Sequence, residues 1–119
     1  MGRVVAFMDD LFFQMKLAET AKHVGVEVKV ASTAESLRDL LQQQEAKLLI
    51  VDLNARNQPL ALVPEIRAGY PKLRTVAFLS HVQADLAREA KSAGFDQVLP
   101  RSVFSQNLSE ILSVAKESS

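Results

Sequence analysis

The segment Lys47-Leu-Leu-Ile-Val-Asp-Leu-Asn54 is a run of four aliphatic residues that stops on a carboxylate, Asp52. Such a run, bounded by charge on both sides, predicts a parallel strand buried on both faces of a sheet. Asp52 then falls at the carboxyl end of that strand, where open α/β sheets bind their ligands. It is therefore a candidate functional residue, with the alternative that its side chain caps a turn.

Further strand patterns precede and follow this segment. Apolar or alternating runs predict strands over 3–8, 26–31, 74–79 and 97–99, with the strand at 26–31 half exposed at an edge of the sheet. Helical spacing predicts five helices between and after the strands. The alternation of strands and helices indicates an α/β fold, a doubly wound five-stranded parallel sheet with five helices, in a single domain over residues 1–119.

The helix boundaries follow from individual residues. Gly25 closes the first helix as a left-handed cap, Gly94 closes the fourth, and Ser32 with Glu35 forms a capping box for the second. Pro64 requires the third helix to be kinked or to hold the proline in its first turn. Ser105 is the predicted cap of the last helix.

Composition excludes several classes of function. Fourteen basic and fourteen acidic residues cancel, so no excess positive charge would drive binding to nucleic acid. The absence of cysteine rules out disulfides, thiolate chemistry and zinc-thiolate sites. No stretch has the length of a signal peptide or a membrane span, so we expect a cytoplasmic protein without a membrane contact.

Polar residues follow four of the predicted strands: Asp9 and Asp10, then Asp52, Ser80 and Arg101. Because the carboxyl ends of the strands share one edge, we expect these side chains to lie together. Three carboxylates suit a hard divalent ion such as Mg2+, and a hydroxyl beside a cation suits a phosphoryl group. With Asp52 as nucleophile the product would be an aspartyl phosphate. The structural alternative is that Asp10 caps the next helix.

The order and spacing of these residues resemble the receiver domain of bacterial response regulators, the family of the chemotaxis receiver. The resemblance covers the whole chain and rests on four fragments: Met8-Asp-Asp10, Val51-Asp-Leu53, Leu79-Ser80, and Ala93-Gly-Phe-Asp-Gln-Val-Leu99 before the basic residue. It implies a flavodoxin-like fold and a role in two-component signalling.

The resemblance also implies a role for each residue. Asp52 would be the phosphoacceptor, and Ser80 the switch hydroxyl that turns toward the phosphate. Asp9 and Asp10 would bind Mg2+ with Asp52 and the backbone carbonyl of Asn54. The donor would be a sensor histidine kinase or a histidine phosphotransfer protein, and the output a contact with a downstream protein target. Such a domain is not an enzyme beyond its own phosphotransfer and dephosphorylation.

Three departures from the receiver pattern support an alternative function. Arg101 stands where the family has a lysine, Ser102 where a proline follows that lysine, and Val98 where an aromatic switch residue is usual. The alternative is a pseudo-receiver, a phosphorylation-independent protein-interaction module. A magnesium-dependent phosphatase is disfavoured, because Asn54 occupies the place of the second acid that such enzymes need.

Phe12 lies beside the acidic pair on the polar face of the first predicted helix. Two interpretations remain open for it. It either packs under a loop, which is the interpretation we favour, or forms part of a docking surface for a partner protein.

Overall fold

A computed structural model of the chain describes residues 2–43, 45–55, 59–80 and 83–117. These residues form five strands and six α-helices, with one α-helix after each of the first four strands and two after the last. The elements are β1 (Gly2–Phe7), α1 (Leu11–Val24), β2 (Val26–Ala31), α2 (Ala34–Gln43), β3 (Leu48–Asp52), α3 (Val63–Gly69), β4 (Arg74–Leu79), α4 (Ala84–Ala93), β5 (Gln97–Pro100), α5 (Arg101–Gln106) and α6 (Leu108–Glu117). A 3-10 turn, Pro59–Leu62, leads into α3.

The five strands form one parallel sheet in the order β2-β1-β3-β4-β5. The predicted doubly wound sheet is confirmed, and β2 lies at an edge as expected. β3 is the central strand, and all five of its residues are buried. That position explains its continuous apolar sequence, because helices cover both of its faces.

The sheet separates two apolar cores. Leu48 and Ile50 of β3 face the core formed with α1, α5 and α6, while Leu49 and Val51 face the core formed with α2, α3 and α4. Successive side chains of β3 therefore point to opposite faces of the sheet, and this one strand contributes to both cores. Among the described residues, no helix is both long and apolar enough to span a membrane.

Several helix ends match the sequence prediction. Gly25 and Gly94 close α1 and α4 in the left-handed conformation, with φ of 93° and 119°, where a residue with a Cβ would be strained. Pro64 lies in the first turn of α3, where its missing N–H leaves no helical bond unmade.

Two helix starts differ from the prediction. Thr33, not Ser32, caps α2, because its hydroxyl accepts a hydrogen bond from the backbone N–H of Ser36 at 3.1 Å. The last predicted helix is two helices that meet at Asn107, and the first of them begins at Arg101. The reason is the fully buried Phe104, which extends the apolar stripe of the last helix by one turn toward β5.

Candidate functional site

The candidate site lies at the carboxyl edge of the sheet. Asp52 is the last residue of β3, Ser80 follows β4 directly, and Arg101 follows β5. Asp9 and Asp10 lie between β1 and α1. Since β3 pairs with both β1 and β4, the parallel sheet brings these five predicted residues to one edge.

Asp52 is a buried carboxylate, 5% exposed, in the centre of this edge. Its Oδ1 accepts a hydrogen bond from the backbone N–H of Asn54 at 2.9 Å, which fixes the carboxylate plane at the strand end. Burial raises the pKa of Asp52, and the charges of Asp9 and Asp10 raise it further. The Asn54 amide and the positive charge of Arg101 act in the opposite direction. The net direction is upward, so this environment favours added positive charge or loss of negative charge.

Asp10 uses both of its carboxylate oxygens. Oδ1 caps α1 by accepting from the backbone N–H of Phe13 at 3.1 Å. Oδ2 accepts from Nη2 of Arg101 at 2.5 Å. The bond from Arg101 and the bond from Phe13 lower the pKa of Asp10. The capping role is thus confirmed, and the carboxylate also forms an ion pair that joins the first residue of α5 to the start of α1.

The guanidinium of Arg101 is held by aromatic rings as well as by charge. It lies 4.6 Å from the ring centroid of Phe13 and 6.0 Å from that of Phe78, a geometry that favours a cation over an aromatic face. Phe78 and Phe104 stack at 4.6 Å beneath it, and Phe13 meets both rings edge to face. Sequence reasoning missed this arrangement, since its three rings come from separate segments of the chain.

Ser80 is bonded to Asn54. The backbone N–H and the hydroxyl of Ser80 both donate to Oδ1 of Asn54, at 2.7 and 3.0 Å. The amide nitrogen of Asn54 in turn donates to the side chain of Gln83 at 3.0 Å. The sequence had assigned only the backbone carbonyl of Asn54 to the site. Its side chain in fact bridges the loop after β3 and the loop after β4.

The predicted Mg2+ ligands have the right donor chemistry, but in the described arrangement Asp10 is already engaged and the acids are not grouped as one ligand set. Among the described residues, no three Asp, Glu or His side chains are grouped as a metal site would require. The physical reason lies at Asp10, whose two oxygens already serve Phe13 and Arg101. Asp9 is exposed and Asp52 is buried, so the acids occupy different depths of the edge.

An apolar surface lies beside this edge on α1. Leu11, Phe12 and Met15 are 72%, 87% and 70% exposed. The favoured interpretation that Phe12 packs under a loop is wrong, because the buried stripe of the helix runs through the next residue, Phe13. Exposed large apolar side chains grouped on one helix turn are typical of a contact surface.

No protein-family model matches the chain, and no curated protein matches it. Solved structures do. A CheY-like response regulator receiver domain from Methanospirillum hungatei aligns with a TM-score of 0.83 and 16% identity, over 100% of this chain and 99% of that one. The chain has the receiver fold. A receiver domain from Clostridium thermocellum is also similar, with a TM-score of 0.82 and 21% identity over 99% and 96% of the two chains.

A third similar structure contains a modified aspartate and a divalent metal ion. It is a response regulator from Burkholderia pseudomallei, described with a phosphorylated aspartic acid and a calcium ion. Its TM-score is 0.83 at 17% identity, over 99% of this chain and 71% of that one. At such identities the likeness establishes the receiver fold of this chain, and the roles of its site residues have to be argued from their own geometry.

Proposed function

We propose that this chain is a phosphoacceptor receiver domain, in which Asp52 takes a phosphoryl group from a histidine kinase or a histidine phosphotransfer protein. The observation that carries the proposal is the buried Asp52 carboxylate at the end of the central strand, with Arg101 close enough to favour its charged form. The proposal sets the domain in the cytoplasm, with a downstream protein target as its output.

The transfer would use groups that are already placed. The Asn54 amide holds Oδ1 of Asp52, so Oδ2 is the oxygen that we expect to attack phosphorus. The P–O bond to Asp52 forms as the P–N bond to the donor histidine breaks, and the histidine keeps the electron pair. The new phosphoryl oxygens then carry the charge that Asp52 lost. The Ser80 hydroxyl and the Arg101 guanidinium are donors at the same edge, and they would stabilise this negative charge by hydrogen bonds.

Mg2+ is the proposed ion, with Asp9, Asp10, Asp52 and the Asn54 backbone carbonyl as its ligands. When bound it would neutralise phosphoryl charge. The full ligand set requires that Arg101 first leave Asp10, because the ion pair occupies Oδ2.

The pseudo-receiver is a second candidate, and the same ion pair favours it. Arg101 already neutralises Asp10 and packs on Phe13. Part of the negative charge at this edge is therefore neutralised within the chain, without a phosphoryl group or a metal ion. In this alternative the domain would act through the exposed apolar surface of α1 alone.

Mass spectrometry of the intact chain after incubation with acetyl phosphate and magnesium chloride separates the two candidates. A phosphoacceptor gains one phosphate, loses that gain in Asp52→Asn, and keeps it in Asp85→Asn. Asp85 is a suitable control because it is an exposed acid on α4 whose carboxylate pairs with Arg88 of the same helix. A wild-type chain that gains nothing would support the pseudo-receiver.

A further inference from the structure

The acidic edge of this protein contains its own cation. The Arg101 guanidinium contacts Asp10 directly, and its charge also favours the ionised form of Asp52. Its side chain is 33% exposed and that of Asp10 is 32% exposed, so the pair is only partly screened by water. Arg101 thus supplies, from within the chain, the positive charge that three neighbouring carboxylates need.

A divalent ion and Arg101 would require the same oxygen. Mg2+ binds carboxylate oxygens at about 2.0–2.1 Å and tolerates little distortion. Nη2 of Arg101 is 2.5 Å from Oδ2 of Asp10, while Oδ1 is committed to the cap of α1. An ion on Oδ2 would bring two positive charges into contact, and an ion on Oδ1 would uncap the helix. Because Oδ1 holds the helix cap, Oδ2 is the oxygen for which the ion and Arg101 would compete.

We infer that Arg101 is a built-in counter-ion that competes with divalent metal ions for Asp10, so that metal binding and the Arg101–Asp10 pair exclude each other. The inference deepens the proposed function, since it names what regulates the same site. It does not depend on phosphate, because the competition is between two cations for one carboxylate.

Displacement of Arg101 from Asp10 would remove one of the links between the starts of α1 and α5. Asp10 and Arg101 stand at the starts of these helices, and Lys16 on α1 donates a second hydrogen bond to Ser105 on α5. Loss of the ion pair would leave the Lys16–Ser105 hydrogen bond as a remaining link between the two helices. The apolar surface formed by Leu11, Phe12 and Met15 lies on α1, the helix that Asp10 caps.

Magnesium titration tests the competition by isothermal calorimetry and by the melting temperature. The variant is Arg101→Met, whose thioether can still pack on the rings of Phe13 and Phe78. We expect it to bind Mg2+ about tenfold more tightly than the wild type, the order of effect of removing one competing charge at contact distance. Arg101→Lys, which keeps the charge on a more compact group, should fall between the two.

Lys16→Met is the matched control. It removes one positive charge from the same helix junction without touching Asp10, and should change Mg2+ affinity by less than about threefold, because exposed charges are screened. An equal gain in both methionine variants would overturn the inference, since it would reduce Arg101 to a general charge effect. So would equal affinity of wild type and Arg101→Met.

A measurement on the wild type covers the case in which Arg101→Met does not fold. In ¹H–¹⁵N spectra the Arg101 Nε–H and the Phe13 amide should shift together at the Mg2+ concentrations that saturate the calorimetric signal. Saturation with an unmoved Arg101 resonance would contradict the competition. Phosphate uptake at Asp52 is measured separately, so a chain that shows the competition and takes no phosphate would refute only the proposed function.

Discussion

The side-chain oxygen of Asn54, Oδ1, accepts two hydrogen bonds from Ser80. This single side chain therefore joins the loops that follow two neighbouring strands, β3 and β4. Asn54 is exposed, and Ser80 is exposed beside it. The Ser80 hydroxyl, which is proposed to bind the phosphoryl group, is therefore already hydrogen-bonded to Asn54 in this structure. It must leave Asn54 before it can turn toward Asp52.

Asn54→Ala should release Ser80. Loss of the shared acceptor is expected to lower the free energy of unfolding by about 1 kcal/mol, since exposed hydrogen bonds contribute modestly. It should also speed amide exchange at Ser80. Hydrogen exchange followed by NMR measures the second effect. Gln83→Ala, which removes only the outer partner of the amide, is the control and should leave exchange at Ser80 slow.

Two substitutions at Asp10 should divide its roles. Asp10→Asn keeps an oxygen for the helix cap and removes the charge that pairs with Arg101, whereas Asp10→Ala removes both. The difference between the two variants should be about 1 kcal/mol, the usual contribution of an N-cap. Chemical denaturation measures it. Equal losses would mean that the bond to Phe13 does not stabilise α1.

The ion pair at Asp10 also predicts a pH dependence. Its bonds hold the pKa of Asp10 below the usual range, so the folded state binds that proton less tightly than the unfolded state. The stability that the pair contributes is present above the unfolded pKa and is lost as the pH falls through the lowered pKa. The gap between wild type and Asp10→Asn, measured by denaturation at several pH values, should therefore close in acid. A gap that persisted there would contradict the ionic origin.

Asp52→Asn should stabilise the fold. The pKa of Asp52 is raised by burial and by its acidic neighbours, so its charge opposes folding above the raised pKa. That opposition disappears as the pH falls through the same pKa. At neutral pH the variant should be more stable than the wild type, and the gain should vanish in acid. A thermal melt at two pH values measures it, with Asp85→Asn as an exposed control that shows no gain.

Phe12→Ala should leave stability unchanged and slow phosphotransfer from a partner protein. Its side chain is 87% exposed, so truncation removes little buried area, while the loss of an aromatic contact weakens docking. Phosphorylation by acetyl phosphate should be unaffected, because a small donor does not need the surface of α1. Phe13→Ala is the contrasting variant, since its buried ring should cost about 3 to 5 kcal/mol in stability. Equal slowing with both donors would remove Phe12 from the docking surface.

The sheet could be predicted because each strand corresponds to a short apolar or alternating run in the sequence. The four aliphatic residues before Asp52 predict the central strand, and Gly25 and Gly94 mark the ends of two helices. The last helix was predicted to begin too late, since the burial of Phe104 depends on contacts with Phe13 and Phe78 that no local pattern contains.

At the site, the sequence placed the residues at one edge but could not give their pairing. Strand order alone brings Asp10, Asp52, Ser80 and Arg101 together. Which carboxylate Arg101 pairs with depends on the rings beneath it, and the Ser80 hydrogen bond depends on the path of the Asn54 loop. Those are relations between distant segments. Local spacing does not encode them.

Localisation of phosphate on the chain tests the central claim most directly. After incubation with acetyl phosphate and magnesium chloride, borohydride reduction converts an acyl phosphate on aspartate to homoserine, which peptide mass spectrometry detects by position. The account predicts homoserine at position 52 in the wild type and none in Asp52→Asn. An unreduced Asp52, or homoserine at another aspartate instead, would contradict it.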